Sequence, residues 1–142
     1  MRLIKVAAAV LNTTPLAWDA NRKAIVDAIH EARRQHVAIL CLPELCITGY
    51  GCEDAFLSSG TQAMAQKLLL ELVPETQGIA VSFGLPLLHR GALFNTAALA
   101  VDAPRTGAPV GWHRQLAWTI PASRMKAGVE HRVPLSARCL VI

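Results

Sequence analysis

The sequence predicts an α/β fold, a mixed sheet with helices packed on it, in the order β-α-β-α-β-β over residues 3–101. Three observations predict it. Two almost unbroken apolar runs, Leu3 to Leu11 and Val37 to Leu42, have strand length and the solid hydrophobicity of strands covered on both faces. The segment between them has helical periodicity. Further on, Ile79 to Leu85 and Leu93 to Val101 are again apolar, and His89-Arg90-Gly91 between them has the composition of a hairpin turn.

The first run is broken only by Lys5 and gives way to a loop at Asn12 to Leu16. Asp19 is the expected N-cap of the first helix. Ile25, Ala28, Ile29 and Ala32 then follow i, i+3, i+4, i+7 spacing, with Arg22, Asp27 and Glu31 off that stripe, and the helix ends near Gln35. A strand, a helix and a strand with short joints make a right-handed parallel crossover. Thr61 is the expected cap of a second helix, which places Ala65, Leu68, Leu69 and Leu72 on one face and stops at Pro74. The 142 residues suffice for one domain with a core.

Composition excludes several classes. With 53% apolar and 17% charged residues the chain is not disordered. No apolar run approaches the roughly 20 residues of a membrane span, so no membrane partner is expected. The apolar stretch after Arg2 and Lys5 is short and ends at Asn12-Thr13-Thr14, which argues against a secretory leader. Cys41, Cys46, Cys52 and Cys139 lack CxxC spacing and read as reduced thiols of a cytoplasmic protein, the first three as small buried hydrophobes. His113 and His131 show no ligand spacing, and no metal site is expected. The net charge of +4 lies wholly in the last segment: residues 1–101 hold eight Lys/Arg and eight Asp/Glu, residues 102–142 six and two. Those late arginines have neither aromatic interleaving nor helical period, so nucleic acid is not an expected partner.

The chemistry concentrates in Leu42-Pro43-Glu44-Leu45-Cys46-Ile47-Thr48-Gly49-Tyr50-Gly51-Cys52-Glu53-Asp54. Glu44 sits just past a buried strand, where open α/β sheets place their ligands. A carboxylate there is costly to desolvate unless paired, which suits a general base or acid. It is expected to be partly buried in a concavity with Tyr50 nearby. Glu53-Asp54 reads as charge complementing a helix N-terminus.

That segment resembles the N-terminal glutamine-amidase domain of glutamine-dependent NAD synthetases, within the nitrilase (carbon–nitrogen hydrolase) superfamily. Two further stretches carry the resemblance: Val10-Leu11-Asn12-Thr13-Thr14-Pro15-Leu16-Ala17-Trp18 with Asn21, and Gly84-Leu85-Pro86 with Leu93-Phe94-Asn95-Thr96-Ala97-Ala98. Pro-Glu-Leu points to the superfamily, and Gly-Tyr-Gly-Cys-Glu-Asp to the NAD-synthetase branch. The resemblance implies part of an α-β-β-α sandwich and a Glu-Lys-Cys triad. In that triad a thiolate attacks the amide carbon of glutamine, the glutamate serves as base and then acid, and the lysine stabilises the oxyanion. Glu44 takes the glutamate's place, and Tyr50 that of a tyrosine close to the substrate. The resemblance implies no cofactor for the amidase part; ATP and magnesium would belong to the synthetase domain. Family members are oligomers, so a homo-oligomer or a hetero-oligomer with an intact homologue is implied.

The other two triad members do not match. Where the lysine is expected the sequence reads Gly111-Trp112-His113-Arg114-Gln115-Leu116, and a guanidinium fork is no substitute for a point charge. Lys126 is in a different context, and Cys139 follows it too closely to match the nucleophile. The resemblance thus covers residues 3–101, and residues 102–142 read as a divergent Arg/Pro-rich tail, ordered only at Cys139 to Ile142. A truncated or frame-disrupted gene is the simplest origin, and an inactive chain is expected. Two alternatives stand beside it: a divergent amidase using Cys139, and a non-enzymatic module that pairs with an intact homologue.

Overall fold

The computed structural model describes residues 4–101 and the strands Ala117–Ile120, His131–Pro134 and Cys139–Val141. In chain order the elements are β1 (Val6–Ala8), α1 (Trp18–Arg34), β2 (Ile39–Cys41), α2 (Ser59–Leu72), β3 (Ala80–His89), β4 (Ala92–Ala100), β5 (Ala117–Ile120), β6 (His131–Pro134) and β7 (Cys139–Val141). Short 3-10 turns at Glu53–Leu57 and Val73–Thr76 flank α2. The expected mixed sheet forms, with strand order β1-β2-β3-β4-β7. The first three strands are parallel, β4 is antiparallel to β3, and β7 is antiparallel to β4.

Both crossover helices lie on one face of the sheet. Ile25, Ile29 and Ala32 of α1 and Ala65, Leu68 and Leu72 of α2 share a single buried cluster with Leu40, Val81, Phe83, Leu85, Ala98 and Ala100 of the strands. The strand members of that cluster alternate along β3 and β4, as one face of a pleated sheet must. Burying Ile29 or Phe83 contributes about 1.5–3 kcal/mol each before conformational entropy is subtracted.

The opposite face corrects one expectation. Leu3 to Leu11 and Val37 to Leu42 read as covered on both sides, yet Val6 is 66% and Ile39 38% exposed, and Cys41 is exposed with them. The described residues provide a helical layer on one face only, and β1 is the edge strand. Of the three cysteines expected to be buried, Cys46 and Cys52 are, and Cys41 is not.

The helix starts also differ. Ala17, with no side-chain cap bond, occupies the position expected for Asp19, which lies in the first turn and complements the helix dipole. The side chain of Asn21 fixes the loop before the helix through both backbone groups of Thr14. Thr61 is buried inside α2, which begins two residues earlier, its first turn closed by Gln62 N–H to Ser58 O. β3 runs past Pro86 to His89. This is compatible with proline because β2 pairs only with Ala80 to Ser82, leaving Pro86 with β4 on one side alone. The hairpin turn forms as expected, with Arg90 and Gly91 both at positive φ (47° and 78°), the requirement of a two-residue I′ turn.

Late in the chain, β7 agrees with the expected strand, and β5 and β6 add an antiparallel pair too short for periodicity to announce. Arg114, Lys126 and His113 lie outside the described residues.

Candidate active site

Glu44 is placed by the way the chain leaves β2. Leu42 N–H still bonds Ser82 O (3.0 Å), continuing the ladder one residue further. The chain then turns across the exposed face of β3. Leu45 adopts a left-handed φ of 51°, a conformation that costs a non-glycine residue about 1–2 kcal/mol. Cys46 N–H bonds Pro43 O (3.3 Å), Ile47 N–H bonds Gly84 O (3.2 Å) and Gly49 N–H bonds Leu45 O (2.8 Å).

The crossing is possible because residue 84 is glycine. A Cβ there would lie 2.4 Å from Leu45 N, 2.6 Å from Pro43 O and 2.8 Å from the Glu44 carbonyl carbon. Gly84 pairs with Ala97 of β4, and Asn95 lies two residues away on the same face of that strand. From there the Asn95 side-chain amide donates a hydrogen bond to Glu44 Oε1. Among the described residues no donor reaches Oε2.

A second set of contacts anchors the turn. Asn21, 1% exposed, accepts from Thr14 N–H (3.0 Å) and donates through Nδ2 to Thr14 O (2.9 Å) and Ile47 O (3.4 Å). Leu16 N–H bonds Thr48 O (2.7 Å), and the buried Thr48 hydroxyl lies 3.1 Å from Gly49 O and 3.3 Å from Leu45 O. The loops that follow β1 and β2 are thereby joined. Gly49 sits at a φ of 81°, where a Cβ would come within 2.5 Å of Thr14 O.

Glu44 is exposed where partial burial was expected. Tyr50 is 64% exposed and makes no side-chain hydrogen bond to a described residue. The structure thus brings Glu44 to Asn95, and among the described residues no hydrogen bond joins Glu44 to Tyr50. Asn95 is a member of the Leu93 to Ala98 stretch, to which the sequence attaches no separate role. Gly84, an isolated glycine inside an apolar strand, is the signal that marks a close backbone approach there.

Two cysteines bear on nucleophilic chemistry. Cys46, two residues from Glu44, is fully buried; burial pushes its thiol up to about 11, against partial relief from backbone hydrogen bonding. Buried and held as a neutral thiol, Cys46 is poorly suited to act as a nucleophile. Cys139 pairs with Ala100 of β4, five residues (100 − 95) from Asn95. At about 3.3 Å per residue that is a rise of roughly 16 Å along the strand.

Comparison with known proteins agrees with this fold. A family model described as carbon-nitrogen hydrolase matches residues 5–137. The glutamine-dependent NAD(+) synthetase of Arabidopsis thaliana is 38% identical over 104 residues, covering 72% of this chain and 14% of that protein. The enzyme of the same name from Homo sapiens is 31% identical over 142 residues, covering 94% of this chain and 20% of that protein. A crystal structure of a glutamine-dependent NAD(+) synthetase from Cytophaga hutchinsonii has a TM-score of 0.68 at 34% identity, covering 91% of this chain and 24% of that one. The chain therefore spans about a fifth of the length of the human relative it matches.

Proposed function

This chain belongs to the carbon–nitrogen hydrolase family and has part of its nitrilase-like fold, and from that premise we propose that it carries the glutamate-bearing portion of a glutamine-hydrolysing amidase domain, one whose role is to supply ammonia for NAD synthesis. The observation that carries the reading is the Pro43-Glu44-Leu45 turn, laid across Gly84 so that a carboxylate stands at the carboxyl end of β2. The names of the relatives support glutamine as the substrate.

In this reading Glu44 takes the proton of the attacking group and returns it to the departing nitrogen. Tyr50, exposed between Gly49 and Gly51, contacts the substrate. The reaction is acyl transfer by side chains, and no cofactor is assigned to this portion. In this reading neither Cys46 nor Cys139 supplies the nucleophile: Cys46 is held as a thiol, and Cys139 is registered far along β4 from Asn95. The chain alone is therefore proposed to be inactive. Its test is a titration of the isotopically labelled chain with L-glutamine, followed by NMR. Shifts confined to Glu44, Tyr50, Asn95 and their neighbours are expected; shifts elsewhere, or none, contradict the reading.

One observation favours a second role. Val6 and Ile39 expose an apolar surface on the face opposite the helices, which suits a module that pairs with an intact family member. Co-elution of the two in size-exclusion chromatography is the expected result, and separate elution excludes it.

A further inference from the structure

We propose that Asn95 is a positioning residue for Glu44: its amide holds carboxylate oxygen Oε1, and leaves Oε2 as the oxygen that takes and gives the proton. The proposal rests on the reading of Glu44 as the general base and acid.

Three features place the pair. The turn bearing Glu44 is pressed onto β3 at Gly84, where a side chain would collide with three of its backbone atoms. Leu45 is held at a left-handed φ directly after Glu44, and Ile47 N–H is tied to Gly84 O, so the turn has little freedom to rotate. Asn95 stands on a strand fixed by nine consecutive pairs, Val81↔Ala100 to His89↔Ala92, with Thr96 Oγ1 also donating to Leu85 O (2.9 Å). Both partners thus hang from the same rigid hairpin, and their contact joins residues 51 apart in sequence.

The choice of an amide has a chemical consequence. A primary amide nitrogen donates hydrogen bonds and does not ionise, so it cannot compete for the proton Glu44 handles. A carboxylate oxygen engaged by that donor is the poorer site for protonation. When Glu44 acts as base, the O–H bond forms at Oε2 as the bond from the attacking group to its proton breaks. The same proton leaves Oε2 for the departing nitrogen, and Glu44 returns to the carboxylate.

The test is NMR on the full chain. In the original protein one Asn95 Nδ2 proton should resonate downfield, and Glu44→Ala should move it upfield while Glu53→Gln leaves it in place. Asn95→Ala should average the two γ-methylene protons of Glu44, distinct in the original, with the thermal midpoint unchanged. Gly84→Ala keeps both partners yet should break the contact by displacing the turn. Acidification should move the Asn95 proton only part of the way upfield, because protonation at Oε2 leaves Oε1 as the carbonyl of a neutral acid, a weaker acceptor that still holds the amide. An Asn95 proton indifferent to Glu44→Ala, or Glu44 methylene protons still distinct in Asn95→Ala, overturns the proposal; an upfield move on acidification as large as that in Glu44→Ala overturns the assignment of the oxygens. None of these readouts needs substrate, so a chain that shows them and ignores glutamine retains the positioning contact and refutes the amidase reading.

Discussion

Cys46 and Glu44 stand two residues apart on one turn and face opposite environments, the thiol buried and the carboxylate exposed. Burial raises the thiol from 9.0 to about 11, so the folded state keeps a proton that the unfolded chain releases. Stability from this source is fully present below pH 9 and falls as pH rises towards 11, by about 3 kcal/mol at most. Denaturation midpoints of the original and of Cys46→Ala should therefore converge between pH 8 and about 11; a constant gap contradicts the assignment. Asn21→Ala strands the Thr14 N–H and two carbonyls, and should lower stability by about 1–3 kcal/mol in urea denaturation. Glu44 was legible in the sequence because a carboxylate directly after an apolar strand is conspicuous. Its partner was not, because Asn95 arrives through the register of β3 with β4, which no local pattern encodes.

At the level of elements, α1 shows where local signals suffice and where they fail. Its apolar stripe was legible, and Ile25, Ile29 and Ala32 are buried as the spacing requires. Ile29→Ala should destabilise the fold by about 2–5 kcal/mol, measured by thermal or chemical denaturation. The helix start was misplaced, since the helix begins at Trp18 after Ala17 with no side-chain cap, and Asp19 lies inside its first turn. The helix end is a Schellman motif, with His36 N–H bonded to Arg33 O and Val37 N–H to Ala32 O, and His36 at a φ of 58°. Glycine is better suited to that position, so His36→Gly should raise stability by roughly 0.5–1 kcal/mol; a loss would show that the His36 side chain contributes more than its backbone strain costs. β1 and β2 were read as covered on both faces because a continuous apolar run encodes hydrophobicity and not the element that covers it.

For the whole molecule, the described residues form a five-stranded mixed sheet with a helical layer and a separate two-stranded pair, and the order of the first six elements was legible from periodicity and turn residues. The two-stranded β5–β6 pair was not, because four-residue strands carry too little pattern. The fold sets the central claim. It seats Glu44 at the end of β2, with Cys46 buried in the same turn and Cys139 opposite Ala100, so in the proposed reading neither thiol is its nucleophile. In hydrolases with a side-chain nucleophile, losing that group alone removes roughly a million-fold of kcat. The most direct measurement is ammonia release from glutamine by the purified 142-residue chain, beside Cys139→Ala and Glu44→Gln. The account predicts release indistinguishable from the protein-free blank in all three. Turnover by the original that disappears in Cys139→Ala would contradict it and identify the chain as an amidase that uses Cys139.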